Sequence, residues 1–321
     1  MTATGNASLA IVGAGSVGTS IAYAALIRGA ARHIALYDLN AAKARAEVLD
    51  LAHGSQFAGS AGITGGGDIG VVEGADVVVI TAGAKQKPGQ TRLDLAATNV
   101  GILRELMPQL IARAPDAVYL LVTNPCDVLT VAAQRISGLP PERVLSSGTV
   151  LDTARLRWLL AHRAGVAQRS VHAHIVGEHG DTEFPLWSTA TIGVTPLRDW
   201  HRDGLAPFTD EVLADIAEEV RTAAYTVIQG KGATNYAIGL SAVRIVEAVL
   251  RDERVVLPVS SVLEGFPGLE GLDGVALSVP SVVSAAGARP VFQTPMSPAE
   301  TAQLRASAAA LQESQRAAGL R

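Results

Sequence analysis

The stretch that most restricts how this chain can fold is its beginning, up to Asp38. Ser8 to Val12 reads as a buried strand and runs directly into Gly13-Ala14-Gly15-Ser16-Val17-Gly18, after which a helical pattern continues to Gly29. A second strand, His33 to Tyr37, ends at Asp38, 20 residues past Gly18. Strand, glycine turn, helix and an acid closing the next strand are the order a dinucleotide site requires. The first glycine permits the tight turn, the second lets backbone approach a pyrophosphate, and the third lets helix pack on strand. A carboxylate at position 38 would accept hydrogen bonds from ribose hydroxyls and repel a 2′-phosphate, so NAD is expected over NADP. The glycine pattern alone is a weak signal; its flanking elements give it weight.

The same alternation continues. Strands are expected near Ile63, at Asp76 to Thr81 and at Ala117 to Val122, with helices at Ala41 to His53 and Leu93 to Arg113. Helices alternating with buried strands imply a parallel sheet with crossovers, an α/β fold of the doubly wound Rossmann type. With 321 residues and 48% hydrophobic content, the chain exceeds what one core usually serves. Two lobes are therefore expected, a nucleotide-binding domain over 1–147 and an α+β catalytic and substrate domain over 148–321. In the second, helices are expected from Leu151, at Asp210 to Gln229, at Tyr236 to Leu250 and from a Ser297-Pro298-Ala299-Glu300 cap. Leu186 to Ile192 is strand-like, and Val255 to Val262 and Gly274 to Val283 alternate like antiparallel strands.

Composition removes several classes of function. A net charge of -4 argues against a nucleic-acid partner. The apolar runs are strand-length, well short of the roughly 20 residues a membrane span needs. No secretory leader is expected at the N-terminus, and the single Cys126 excludes an internal disulfide framework and fits a reducing cytoplasm. No metal site is expected.

Three segments could carry chemistry. Gly177-Glu178-His179-Gly180-Asp181 sets a histidine between carboxylates and glycines, able to hold or release a proton near neutral pH, although most histidines of this kind sit in surface turns. Asp152 and Arg155 share a helix face; the plain alternative is an intrahelical ion pair worth tenths of a kcal/mol. The loop at about 84–93 contains Lys85-Gln86-Lys87-Pro88-Gly89-Gln90-Thr91-Arg92 and reads either as solvated or as a mobile lid that carries Arg92 onto a substrate. Asn124, in Val122-Thr123-Asn124-Pro125, ends a strand at the carboxyl edge of the sheet, where ligands of such sheets bind.

Together these motifs resemble the bacterial L-lactate dehydrogenases of the lactate/malate dehydrogenase superfamily, from about Ser8 to about Leu311. The resemblance implies His179 as general acid/base, Asp152 as the carboxylate that orients and charges it, and Arg155 as the planar clamp on the substrate carboxylate. It further implies Arg92 polarising the ketone, with Asn124, Gln86 and Thr234 lining the substrate. Cofactor contacts fall on Gly13, Gly15, Val17, Gly18, Asp38, Lys43, Ile69, Gly83, Ala84, Val122, Thr123, Asn124 and Ser147. Relatives often carry tyrosine where Ile69 stands, which leaves that contact apolar.

Gln86 bears on the substrate. The malate branch carries arginine there to neutralise a second carboxylate; with glutamine, oxaloacetate would bury an unpaired charge at a cost of several kcal/mol. Pyruvate and L-lactate have one carboxylate, so they are favoured, and larger 2-oxo acids less so. The resemblance also implies activation by fructose 1,6-bisphosphate through Arg157 and His172 at a subunit interface, a homotetramer, and a cytoplasmic place in fermentative glycolysis. A malate dehydrogenase of the same branch and a non-catalytic NAD-binding relative remain as alternatives.

Overall fold

The computed structural model describes residues 7–59, 61–84, 92–201 and 204–320, and for residues 92 and 93 the backbone only. The first half runs β1 (Ser8–Val12), α1 (Ser16–Arg28), β2 (His33–Tyr37), α2 (Ala41–Gly54), β3 (Gly62–Gly66), β4 (Val77–Ile80), α3 (Arg92–Arg113), β5 (Val118–Leu121), α4 (Cys126–Ser137) and β6 (Val144–Ser146). These six strands are all parallel, in spatial order β3-β2-β1-β4-β5-β6. The order reverses between β1 and β4, so a crevice opens at their carboxyl ends, where doubly wound sheets take their ligands.

The central strands β4 and β5 are apolar throughout and β1 nearly so, because both of their faces are covered, whereas the edge strand β3 is glycine-rich and largely exposed. Along β1, Ala10 and Val12 join one core cluster while Leu9 and Ile11 join another, and β4 and β5 alternate in the same way. A side-chain period of two then demands hydrophobic residues at every position. The first face packs against α3 and α4, the second against α1.

The second half runs α5 (Val150–Ala164), β7 (Val171–His172), β8 (Ile175–Val176), β9 (Phe184–Pro185), β10 (Thr191–Ile192), β11 (Thr195–Pro196), α6 (Asp210–Lys231), α7 (Tyr236–Leu250), β12 (Val255–Leu257), β13 (Ser260–Leu263), β14 (Val275–Ser278), β15 (Ser281–Ser284), β16 (Gly287–Pro290) and α8 (Pro298–Ala317). It has a core of its own between α5, α6 and the short strands. It also returns to the first half. β13 and β14 extend the main sheet to eight strands, antiparallel beyond β6. Residues of α7 enter the core on the α1 face, and Leu304, Ala308 and Leu311 of α8 enter the core on the other. Among the described residues no helix is long and apolar enough to cross a membrane.

The structure refines three expectations. Val255 to Val262 and Gly274 to Val283 read as single strands, but each is two, divided at Pro258 and at Pro280, and the halves join different sheets. Proline has no N–H for a ladder and marks the point where the chain changes partner. Leu186 to Ile192 reads as one strand, yet only Thr191–Ile192 is extended, after a 3-10 turn at Trp187–Thr189. The cause is Glu300, whose carboxylate accepts from the Ser188 amide at 2.9 Å and hydroxyl at 2.5 Å and pulls that segment onto the start of α8.

Glu300 is also the third residue of the α8 capping box, accepting from the Ser297 amide at 2.7 Å while the Ser297 hydroxyl accepts from its own amide at 3.3 Å. Replacing Glu300 by Ala should remove the cap and leave buried donors unpaired, at a cost of about 2–4 kcal/mol. Urea denaturation should show a lower midpoint with an unchanged slope.

Candidate active site

At the nucleotide end, Gly13 has φ +110 and a Cβ there would fall 2.7 Å from Thr81 Oγ1 and 2.8 Å from the Ala82 amide. A Cβ on Gly18 would lie 1.9 Å from the Gly13 carbonyl oxygen, whereas one on Gly15 would meet nothing within 4 Å among the described residues. Two of the glycines are thus required by packing inside the protein, and the middle one faces open space. Among the described residues no side chain caps the N-terminus of α1, so its first amides, with the positive end of the helix dipole, suit an anion. A pyrophosphate fits this arrangement.

Asp38 closes β2 as expected. Its Oδ2 accepts from the Ala14 amide at 2.7 Å and its Oδ1 from the Asn40 amide at 2.9 Å, which fixes the carboxylate beside the glycine turn. Val17 lies on the first turn of α1, Lys43 is exposed on the first turn of α2, and Ile69 sits in a 3-10 turn after β3, half-buried against the core.

The opposite wall comes from the ends of β4 and β5. The Thr123 hydroxyl donates to the Ala82 carbonyl at 2.9 Å, and a Cβ on Gly83 would collide with Thr123 Cγ2 at 2.3 Å. Asn99, buried on α3, ties the two loops together: its Oδ1 accepts from the Ala84 amide at 2.7 Å and its Nδ2 donates to the Asn124 carbonyl at 2.9 Å. Val122 is half-buried, the Asn124 side chain is exposed, and Ser147 is buried with its amide donating to Leu121 at 3.0 Å. Gln86 and most of the expected lid lie outside the described residues. The backbone of Arg92 opens α3. Thr234 lies between α6 and α7 on a loop held to α1 through Asn235, which donates to the Ser20 hydroxyl at 3.0 Å.

The chemical centre forms where α5 meets the loop between β8 and β9. Asp152, 1% exposed on the first turn of α5, uses both carboxylate oxygens: Oδ1 accepts from Arg155 Nη1 at 2.6 Å, and Oδ2 lies 2.7 Å from His179 Nδ1. The intrahelical ion pair and the histidine partnership therefore coexist. The loop itself is held on three sides. Gly177, at φ +95, exchanges backbone bonds with Ser278 of β14. The Glu178 amide donates to Ser307 Oγ of α8 at 2.7 Å, and the His179 amide to Asp127 Oδ2 of α4 at 2.7 Å.

Electrostatics follow from that geometry. Burial would by itself push the His179 imidazole down, but the charge and hydrogen bond of Asp152, with the charges of Glu183 and Asp127, hold it up at about 9. Burial works against the Asp152 carboxylate too, yet the His179 and Arg155 charges keep it below the usual range. Burial pushes Asp127 up to about 6, opposed by its bond from the His179 amide and by the His179 charge. The His179 side chain is 26% exposed, so the ring is carried by the protein on one side and open on the other. Asp152, His179 and Glu183 offer three donor atoms within 4.8 Å of one another. Within this group His179 Nδ1 is committed to Asp152 at 2.7 Å, and Glu183 stands farther off at 3.9 Å from the same nitrogen.

Sequence reasoning located Asp152, Arg155 and His179 but missed the residues that place them. Asp127 stands three residues after Asn124 on the first turn of a helix, Asn99 lies mid-helix, Ser307 is near the end of the chain, and Glu183 follows His179 by four. Of these only Glu183 offered a local signal, a second acid close behind the histidine.

Sequence profiles of the lactate/malate dehydrogenase family match twice, the NAD-binding domain over residues 7–146 and the α/β C-terminal domain over residues 149–318. A protein named L-lactate dehydrogenase from Bifidobacterium animalis subsp. lactis is 50% identical over 306 residues, covering 95% of each chain. One of the same name from a Synechococcus species is 46% identical over 304 residues, covering 94% of this chain and 96% of that one. Among solved structures, a lactate dehydrogenase from a Medee basin deep-sea metagenome superposes with a TM-score of 0.92 at 36% identity, covering 98% of this chain and 99% of the other. The minor L-lactate dehydrogenase of Enterococcus mundtii gives 0.90 at 39%, covering 97% and 98%. The chain is an NAD-dependent oxidoreductase belonging to the lactate/malate dehydrogenase family.

Proposed function

We propose that the protein is an L-lactate dehydrogenase, interconverting pyruvate and (S)-lactate in the cytoplasm as a step of fermentative glycolysis. The observation that carries the catalytic reading is Asp152, whose two oxygens hold Arg155 and His179 at once. In the reading, residues 1–147 bind the cofactor and residues 148–321 supply most of the acid/base machinery.

The glycine turn at Gly13 to Gly18 and Asp38 would hold NAD, which would supply the hydride acceptor for C2 of the hydroxy acid and, in its reduced form, the hydride donor for the ketone. Every proton step belongs to the chain. His179, held in one tautomer by Asp152, takes the hydroxyl proton of lactate through its open nitrogen and gives it back in the reverse direction. The growing positive charge on the ring meets a carboxylate already in place, so little reorganisation is needed. Arg155 has spent one nitrogen on Asp152 and keeps the rest of its fork for the substrate carboxylate, a planar match that lysine does not offer. Arg92 would stabilise charge on the ketone oxygen, with Asn124 and Thr234 fixing the substrate's remaining faces. Gln86 brings no cation for a second carboxylate, which favours pyruvate over oxaloacetate, and the relatives' names agree with that preference.

The effector reading rests on Arg157 and His172. Arg157 Nε donates to the Ala173 carbonyl at 2.9 Å and its Nη2 lies 3.1 Å from His174 Nε2. Burial, then the charges of Arg157 and His172, push His174 down to about 4, which leaves its ring neutral to accept from Arg157. His172 is exposed on β7 beside this group. A bisphosphate bridging such groups on two subunits would offset their repulsion. Assembly into a homotetramer is supported by large apolar side chains exposed on α1 and α7, among them Tyr23, Ile27, Tyr236 and Leu240.

Purified protein should oxidise NADH with pyruvate far faster than with oxaloacetate, and Gln86→Arg should move the preference toward oxaloacetate; equal rates on both substrates from the unaltered protein would overturn the assignment. His179→Asn should lower kcat by about 10²–10⁴-fold while NADH binding, read by fluorescence, persists. Because His179 is held near 9 and pyruvate reduction uses the charged ring, kcat/KM for pyruvate should fall as pH rises through that value, and lactate oxidation should rise. Asp152→Asn removes the stabilising charge and should carry both limbs to lower pH. Millimolar fructose 1,6-bisphosphate should lower the KM for pyruvate, and Arg157→Gln should abolish the effect; an unchanged saturation curve in the unaltered protein removes it.

A further inference from the structure

The steps above use one carboxylate beside the imidazole, but two are present. Glu183 Oε2 lies 3.9 Å from the same His179 Nδ1 that bonds Asp152. The Glu183 side chain is 5% exposed, so little water stands between that carboxyl and the ring to screen it. A turn in which the Glu183 amide donates to the Gly180 carbonyl, directly ahead of Phe184 and Pro185 in β9, sets its position.

We infer that Glu183 is a positioning residue of the acid/base pair, a second carboxyl whose charge holds the proton on His179 where Asp152 alone would release it. It acts through the imidazole and touches no reacting atom, and the inference rests on the reading of His179 as the acid/base. The groups that face it come from every neighbouring element. From α5 come Asp152 and Arg155, and from its own loop His179; Asp127 of α4 reaches the same imidazole from the backbone side. Across a cavity of about 350 Å³ stand Asp210, Glu218 and Arg221 of α6, with Arg198 in the turn before it. Arg198 pairs with Asp210 and Arg221 with Glu218, so these four largely cancel one another. Asp152, Arg155 and His179 are left to set the field at Glu183.

That field makes Glu183 responsive. Burial and then the Asp152 charge push its carboxyl well above the usual carboxylate range, with His179 and Arg155 opposing. At low pH the ring is charged and Glu183 is protonated. As pH rises the carboxyl ionises, and the new negative charge strengthens the hold of His179 on its own proton. Pyruvate reduction, which consumes that proton, keeps its donor to a higher pH than Asp152 could maintain.

The test compares Glu183→Gln, which keeps shape and removes charge, with Glu183→Asp, which restores a carboxylate. Two readouts are taken: kcat/KM against pH in both reaction directions, and the His179 imidazole titration by ¹⁵N NMR in substrate-free protein. Glu183→Gln should move the alkaline limb and the imidazole titration to lower pH by at least about one unit, a tenfold loss of pyruvate kcat/KM above the shifted limb. The low-pH plateau should stay within about threefold, and Glu183→Asp should bring the limb back. Glu183→Met, of similar volume and uncharged, should give the same shift if the amide variant does not fold, NADH binding serving as the check. An imidazole titration that stays at the original pH in the uncharged variants overturns the inference, whatever happens to the plateau. Failure of the unaltered protein to turn over pyruvate would instead remove the substrate assignment, and the imidazole titration would still decide the role of Glu183.

Discussion

A carboxylate that is 1% exposed and still ionised is the constraint around which this molecule is arranged. Asp152 could not stay charged in that setting unless both oxygens met positive partners, and they do, Arg155 on one side and His179 on the other. Removing either partner would leave a buried charge half satisfied, which is far more costly than losing a surface ion pair. The same requirement runs the other way. A histidine in a buried loop would ordinarily be neutral, and Asp152 reverses that ordering.

Holding three side chains to such tolerances takes more of the protein than the motif itself. The histidine loop is fixed by Asp127 from a helix following β5, by Ser278 from a strand that extends the main sheet beyond β6, and by Ser307 from the last helix. These anchors come from three separate parts of the chain. The return of β13, β14, α7 and α8 onto the first half's sheet is what brings them together. Without that return, the nucleotide crevice and the Asp152–His179 pair would sit on two bodies with no fixed relation.

How far the sequence revealed this depended on whether the signal was local. The glycine turn, Asp38, and the Asp152–Arg155 spacing are short-range patterns whose chemistry is set within a strand-turn-helix unit or one helical turn, and the structure places them in the elements expected. The α8 capping box is equally local and is formed as read. Asp127, Asn99 and Ser307 answer to partners 52, 25 and 129 residues away, and nothing near them distinguishes them from ordinary polar residues. The division of two apparent strands at Pro258 and Pro280 had a local marker, but which sheet each half would join depended on tertiary pairing. The 3-10 turn at Trp187–Thr189 had none, because its cause is a glutamate 112 residues further on.

The pairing of Arg155 with Asp152 also bears on why the proposed function calls for arginine at position 155. Asp152 and a substrate carboxylate compete for the same cation, and a lysine ammonium bound to Asp152 would have to turn from one anion to the other. The guanidinium has five donors in a rigid plane. One nitrogen can stay on Asp152 at 2.6 Å while the remaining edge receives a second carboxylate side-on. In the proposed function a substrate would join the network without unpairing Asp152, and the Asp152–His179 bond that keeps the imidazole charged would survive the binding step. In that reading a single substrate carboxylate would complete the arrangement, and Arg155 alone would not neutralise a second.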